Sequence, residues 1–475
     1  MAIKVSGNTI VPDSNGNTRG ELALGVGVGL ATSTGTNNTA IGTGALASNT
    51  TGANNFAVGI GALCKNTIGS HNTAQGCYAL SNNTNGINNT AQGYRALNTN
   101  TNGNNNIAQG CYALSNNTNG INNTAQGYKA LYGNTTGCSN FAQGYKALCA
   151  NTTASHNVAI GCLALRDNIN GAGLVAIGAC ALTGNTSGNY NIAIGFQALT
   201  CNTACDNNIA IGFKALRNNT ISCNNIAQGY TALYGNTTGK MNIAIGTCSL
   251  FTNTIGNWNV AVGVNSLRNN TTGNLNTTVG FASMFYNTTG SNNTAQGYEA
   301  LYGNTTGNNN TAIGYFAGKT NTGGTNNTFI GCNALGLTAT SVNTITLGDA
   351  SIATIRAQVT SITALSDARD KTDIVDIPLG LDFIRQIRPV KFTWNMRDGS
   401  KVGQGYAGFI AQELKQAMDY HQVKDWLELV ISNEDESRYE AAPGKLLPVM
   451  VKAIQELAEK NDQLTKRIEA LEAAK

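Results

Sequence analysis

Ser366 and Lys371 stand five positions apart in the string Leu365-Ser366-Asp367-Ala368-Arg369-Asp370-Lys371, which Thr372-Asp373-Ile374 follows. Such a pair can do nucleophilic chemistry. A lysine held out of water has a lowered pKa and can take the proton from a nearby hydroxyl, leaving the serine oxygen as the attacking group. Spacing alone does not demand this, because a serine and a lysine five apart also suit a polar junction between a strand and a helix. The position in the chain adds weight. A long Gly/Asn/Thr-rich repeat precedes the string, and ordinary globular sequence follows it.

The elements that would have to position the pair are legible downstream. PVKFTWN (Pro389–Asn395) contains a strand, Val390–Trp394, and GYAGFIAQEL (Gly405–Leu414) leads into a helix beginning near Phe409. LLPVMVKAIQEL (Leu446–Leu457) then opens a helical stretch. Within 447–471 the seam positions fall at 447, 450, 454, 457, 461, 464, 468 and 471, alternating steps of three and four. That is the seam of a coiled coil, with Ile454, Leu457, Leu464, Ile468 and Leu471 facing a partner and Asn461 at an a position fixing register. Ile at a, Leu at d and a single Asn lean towards two strands on chemistry alone.

SDARDKTDI resembles the S-D-x-R-x-K-x-[DN]-I signature of the self-cleaving S74 peptidases, the intramolecular chaperone domains of phage tail spikes and other viral fibres. The other three strings match in order, so the resemblance covers 366–475. It implies a small α+β domain that drives trimerisation and is then cut from the shaft on the amino side of the motif serine. Carried over by position, Ser366 is the nucleophile, Lys371 its general base, and Leu365-Ser366 the cleavage site. Asp367 and Arg369 match the motif and shape the site. The resemblance also implies three strands for the coil, against the two that the seam favours.

The long repeat has a period that can be counted. Glycines recur at 42, 59, 76, 93 and 110 and so on without a miss to Gly331, always 17 apart, and degenerate copies extend the series to Gly25 and Gly348, 20 copies in all. A strict period in this range reads as a solenoid whose copies are too small to fold alone. The average copy, N-N-T-A-I-G-Y-x-A-L-x-x-N-T-T-G-x, combines alternating strand chemistry with a turn segment whose residues tolerate left-handed backbone. The expected fold is therefore mainly β: a parallel β-solenoid over 23–348 with forty-odd strands, followed by the small α+β domain. At ~4.8 Å per coil the shaft is on the order of 95 Å long. Residues 1–22 read as a cap or attachment segment and 349–365 as a connecting β segment.

The columns of the repeat carry more. Alanine stands two before nearly every glycine, and leucine four after it. A face this small suggests another backbone passing close by. The opposite face holds Ile, Val or Thr three before the glycine. One before it, seven copies have glutamine, five of them consecutive from Gln75 to Gln143. Stacked one per coil, these can bond amide to amide along the rod; the same column also suits plain exposure to solvent. Apolar character on both faces suggests that one meets its own coil and the other a neighbouring chain. The N-T-A-I-G unit also resembles the head repeats of trimeric autotransporter adhesins, left-handed parallel β-rolls assembled as trimers. The expected signal peptide and outer-membrane barrel of such adhesins have no counterpart here.

Composition excludes several classes. Charged residues are only 11% of the chain, yet no run of eighteen apolar residues exists, so membrane insertion is not expected. Residues 1–365 carry 13 Lys and Arg against 6 Asp and Glu, too sparse for a nucleic-acid stripe. Twelve cysteines all precede Ser366 without CxxC or CxxH spacing, and only Cys205 and Cys223 come near each other on adjacent coils. Free thiols in a reducing cytoplasm are expected. With three histidines no metal site is expected, and no cofactor. Residues 23–348 hold only Asp167, Asp206 and Glu299 as acids, which leaves no carboxylate pair for glycosidase chemistry. An ice-binding solenoid suits the threonine columns but not the tyrosines and lysines after the glycine. The expected whole is a homotrimeric viral fibre in the virion, assembled in the host cytoplasm. It would be joined through its N-terminus to baseplate or capsid proteins and open to a host-surface glycan or receptor. An adhesin-like or polysaccharide-binding fibre without self-cleavage is the alternative.

Overall fold

The computed structural model describes residues 4–5, 8–9, 22–29, 34–352, 371–395, 402–432 and 439–474. The chain divides into two compact units, Met1–Leu335 with Thr340–Thr346, and Gly336–Ala339 with Leu347–Lys475.

The first unit is a parallel β-solenoid. At its start, β1 (Lys4–Val5) and β2 (Asn8–Thr9) form an antiparallel pair, and Thr9 pairs with Ala23 of the next strand, β3 (Leu22–Leu24). From β3 to β22 (Ile345–Leu347) a three-residue strand recurs once per coil. Neighbours pair in parallel, with every residue opposite its equivalent one coil on. Twenty parallel strands replace the forty-odd expected. The T-A-I segment alone is extended, because each coil spends the rest of its length turning.

That turning is tight. A typical coil has four residues with positive φ, as in Asn105 (58°), Gly110 (133°), Tyr112 (58°) and Leu114 (50°). The glycine has no alternative: at Gly178 (φ 132°) a Cβ would stand 2.6 Å from the carbonyl oxygen of Gly195 on the next coil. The leucine is less expected. A left-handed L-residue costs roughly 1–2 kcal/mol, but full burial of leucine returns about 1.5–3 kcal/mol, and its N–H is used too, as when Leu63 N donates to Ala79 O at 3.0 Å. Burial wins.

The interior is narrow. Two alanines and a leucine per coil, such as Ala108, Ala113 and Leu114, fill it with no exposure. The rest of the interior is asparagine. The residue four before the glycine (Asn106) and the residue seven after it (Asn117) are fully buried in most coils and form two ladders along the shaft. Asn106 Oδ1 accepts both the backbone N–H and the side-chain amide of Asn123, at 3.0 and 3.2 Å. Asn117 Nδ2 donates to Asn100 Oδ1 at 2.8 Å. The carbonyl of Gly120 accepts from Asn106 and from Asn117, tying the ladders together at each turn. These buried amides thus find the partners that their desolvation requires.

Of the two readings left open for the glutamine column, both hold in part: Gln75 to Gln126 form an amide ladder, and the column lies on the outer face. Gln92 donates to Gln75, Gln109 to Gln92 and Gln126 to Gln109 at 3.1–3.2 Å, and these side chains are half-buried or exposed. The strand face that points inward is the alanine face. The expectation that all twelve cysteines are free fails at one pair. Cys205 replaces the turn glycine ten positions after Gly195, and Cys223 follows the same position on the next coil, so their Cα atoms lie 5.1 Å apart in a disulfide. The other ten are free, and burial pushes the Cys149 thiol up.

The second unit has an apolar core of Leu379, Phe383, Leu414, Met418, Leu429 and Val449. Helix α1 (Leu381–Gln386) precedes an antiparallel hairpin of β23 (Val390–Asn395) and β24 (Val402–Gly408). Helices α2 (Ala411–Tyr420) and α3 (Lys424–Leu427), a second hairpin of β25 (Val430–Ser432) and β26 (Tyr439–Ala441), and the long α4 (Leu447–Ala473) complete it. The connecting segment expected at 349–365 lies, beyond residue 352, outside the described residues.

Candidate functional site

The motif strings fold next to one another. PVKFTWN is β23, and GYAG is the end of β24 paired to it, with Phe392 opposite Tyr406 and Val390 opposite Gly408. Phe392, Trp394 and Tyr406 make edge-to-face ring contacts across this hairpin, at centroid distances of 5.0 and 6.3 Å. Helix α2 starts at Ala411, two positions after the expected Phe409, and buries Leu414, Ala417 and Met418. On its outer side the Arg388 guanidinium hydrogen-bonds the Glu413 carboxylate and holds its pKa below the usual range.

Of the candidate catalytic group, Lys371 is described and is exposed. Leu365, Ser366, Asp367 and Arg369 lie outside the described residues, so the structure carries no geometry for the pair. One position of the signature explains itself. Asp373, where the pattern asks for Asp or Asn, has φ of 54°, a conformation those two residues tolerate better than other side chains. Ile374 and Val375 beside it are exposed, at 70% and 83%. A groove lined by Asp376, Ile377, Leu447, Pro448, Val451 and Lys452 separates this stretch from the start of α4.

Helix α4 has a buried side and an exposed one. Val449 and Ala453 are buried, and Glu456 accepts a hydrogen bond from Leu381 N at 2.8 Å, which locks α4 to the start of α1. Gly380 makes that contact possible, since a Cβ there would overlap the Glu456 carboxylate. The seam residues Ile454, Leu457, Asn461, Leu464, Ile468 and Leu471 all lie exposed along the helix, the apolar ones at 54–64%. Sequence reasoning gave the helix and the heptad spacing along it but not the groove or the Glu456 lock, which join distant segments and leave no periodic trace.

A small α/β unit that follows a long β-solenoid and leaves an apolar helix seam open has the organisation of a tail-spike-like fibre. Residues 366–422 match the Peptidase S74 family, described as chaperone of endosialidase. The match begins at Ser366 and ends just past α2. No curated protein and no solved structure matches the chain. Among the described residues no helix is long and apolar enough to cross a membrane.

Proposed function

We propose that the chain is a homotrimeric viral fibre whose C-terminal domain registers three chains and then cuts itself off between Leu365 and Ser366. The observation that carries the trimer reading is the open seam of α4. Five large aliphatic side chains in heptad register, each more than half exposed, are a surface that a chain in water covers with copies of itself. Ile374, Val375, Met450 and Val451 add exposed apolar area on the same unit. The physical need is register. Twenty nearly identical coils can each pair with the wrong neighbour, and a fast-folding unit that aligns the chains first removes that freedom.

The cleavage reading is supported by the match at Ser366 and by the Ser-x4-Lys spacing. Ser366 Oγ attacks the carbonyl of Leu365 while Lys371 takes its proton; the Leu365–Ser366 C–N bond then breaks as the Ser366 nitrogen takes up a proton, and water hydrolyses the resulting ester to free the Leu365 carboxylate. Asp367 and Arg369 support the site. Lysine needs desolvation to act near neutral pH, and Lys371 is exposed in the single chain, so closure of the trimer around it is the trigger. Each domain cuts once. Loss of the registering element then leaves a shaft whose stability is kinetic. Residues 1–22 join the fibre to baseplate or capsid proteins, and the shaft meets a host-surface receptor.

The test is expression of wild type beside Ser366→Ala and Lys371→Ala. Wild type is expected to release a fragment beginning at Ser366, with both variants full length. If all three behave alike, the domain is a chaperone without a protease. Light scattering on the uncut Ser366→Ala chain checks the trimer, and a monomer mass overturns it.

A further inference from the structure

The residue ten positions after the repeat glycine is itself glycine in most coils, and its carbonyl ties the two asparagine ladders together, as Gly120 does. A side chain fits poorly there: a Cβ on Gly188 would stand 2.5 Å from Cys205 O and 2.7 Å from Asn185 Oδ1. Cys205 and Ser222 nevertheless fill this position on two successive coils. The bonding around them thins.

Between Thr50 and Thr305 most coils send two or three turn N–H groups to one carbonyl of the next coil, as Thr67, Ile68 and Gly69 do to Thr84 O. The coils at Thr203 and Thr220 send one each, and so does that at Thr152, where Ala154 replaces the glycine. At Ala154 the ladders stay paired, with Asn140 and Asn151 donating to its carbonyl at 2.8 and 3.0 Å. At the double replacement they do not. Asn219 reaches Ser222 O at 2.7 Å, but Asn208, whose amide the period aims at the same carbonyl, is fully buried with Nδ2 unpartnered. The Ser222 hydroxyl donates to Gly239 O and accepts the Asn225 amide that the period would send there. One position further on, several coils carry a side chain that accepts an N–H from the coil before, as Asn189 Oδ1 does from Ala172 N and Asp206 Oδ1 from Asn189 N. Cys223 holds this position, and its sulfur is bonded to Cys205 instead, with Cα atoms 5.1 Å apart. A covalent bond thus spans the turn where the noncovalent ones are fewest.

We propose that Cys205–Cys223 is a redox-operated clasp on the shaft, open among thiols and closed among disulfides. Both cysteines are half-buried, so a small thiol reaches them. They stand eighteen positions apart and meet only once their coils have stacked. The other ten cysteines of the shaft are free, among them Cys162 and Cys180, which are also eighteen apart and linked by a Cys180 N–H donating to Cys162 O at 2.9 Å. A chain oxidised before its coils stack has many pairings open to it, whereas the stacked shaft presents this one. The clasp therefore closes on the folded shaft. One thiolate of the pair attacks a low-molecular-weight disulfide, expelling one small thiol and leaving a mixed disulfide. The second thiolate attacks the protein sulfur of that bond, forms Cys205–Cys223 and expels the other small thiol. The pair loses two protons and two electrons, and the small disulfide becomes two thiols. Excess thiol runs the same steps backwards.

The experiment reduces the full-length Ser366→Ala chain with dithiothreitol, removes the reductant, and treats half of the sample with oxidised glutathione. Alkylation and mass measurement should count twelve thiols in the reduced half and ten in the reoxidised one. Amide hydrogen exchange across 201–225 is expected to be roughly tenfold faster in the reduced half, with 237–259 unchanged. Cys205→Ser should exchange like the reduced chain in both halves, and Cys162→Ser should respond like the parent. Cys205→Gly with Ser222→Gly restores the column and should stay protected in both halves without the bond. Twelve thiols after oxidised glutathione, exchange that ignores loss of the bond, a Cys162→Ser chain that no longer responds, or a double-glycine chain as open as Cys205→Ser each overturns the proposal.

Discussion

The shaft and the C-terminal unit solve the same problem with opposite means. In the C-terminal unit distant residues meet: Phe383, Leu414, Leu429 and Val449 share one apolar core, and Glu456 of α4 holds the start of α1. In the shaft nothing meets except neighbours. Coils satisfy their backbone, their alanine face and most of their buried asparagines against the coil before and the coil after, with Asn208 Nδ2 and Asn321 Oδ1 the buried asparagine atoms left unpaired among the described residues. The shaft consequently closes an alanine–leucine core and its asparagine ladders along its length, whereas the C-terminal unit leaves the apolar residues of one face of α4 exposed. A stack of equivalent coils gains stability by repetition but has little to fix its register. A unit with a unique core has register to give.

The largest expected effect tests the claim that coil spacing in the shaft is steric. Gly178→Ala puts a methyl 2.6 Å from Gly195 O at φ 132°, and strain at such a backbone position alone is on the order of 1–3 kcal/mol. A loss of about 3 kcal/mol or more is expected in thermal or urea melting of the shaft. Gly444→Ala in the C-terminal unit, where a Cβ meets nothing within 4 Å, is expected to be neutral. Equal effects would erase the distinction between the units.

Next in size is the buried ladder. Asn117→Ala removes the donor to Asn100 Oδ1 and to Gly120 O, and the acceptor for Asn134 Nδ2. Unpaired buried groups cost about 1–3 kcal/mol each, so a loss of roughly 2 kcal/mol is expected in the same melts. A loss below the error of the measurement would mean that water enters the coil.

These two sites also show what the sequence disclosed and what it hid. The glycine period was legible because one residue type has no substitute where backbones touch. The asparagines recur with nearly the same regularity as the glycines, and that was the available signal. They read as turn formers because Asn is common in turns, while a buried Asn ladder depends on a neighbouring coil that a single copy does not contain. Left-handed leucine was not legible at all, since only the finished core offsets its strain. In the C-terminal unit the strand Val390–Trp394 and the helix carrying the heptads were legible, while the second strand of the hairpin was not. The groove beside Asp376 and Ile377 joins that stretch to the far-off start of α4, with no period to mark it. Of the candidate catalytic pair, the motif string was legible in the sequence, while the geometry that would bring Ser366 to Lys371 lies outside the described residues.

A smaller effect separates the inner ladder from the outer one. Gln109 is half-buried, not enclosed, and bonds Gln92 and Gln126 on the outer face. Gln109→Glu exchanges one amide donor for a charge that solvent can reach. The expected loss at neutral pH is under about 1 kcal/mol, and it should shrink as the new carboxyl is protonated in acid. A loss as large as that of Asn117→Ala would place the glutamine column in a closed interior, such as one made by adjacent chains.

The smallest effect contrasts the units by pH. Arg388 holds the Glu413 pKa down, chiefly by hydrogen bonding. A carboxyl with a depressed folded-state pKa contributes stability above its unfolded pKa, ordinarily near ~4, and loses it as pH falls through the lower folded value. The C-terminal unit should therefore melt at a lower temperature at pH 3 than at pH 7, and Glu413→Gln should take away a small part of that difference by lowering only the value at pH 7. Arg388 is exposed and Glu413 partly so, and high salt should therefore shrink the contribution. The shaft, with Asp167, Asp206 and Glu299 as its only acids between positions 34 and 348, should keep nearly the same melting temperature across that range. Differential scanning calorimetry at the two pH values reads both transitions. If Glu413→Gln leaves the pH dependence of the C-terminal transition unchanged, the pair contributes nothing there. A shaft transition that falls as steeply as the C-terminal one would show that the two units do not answer to acid separately.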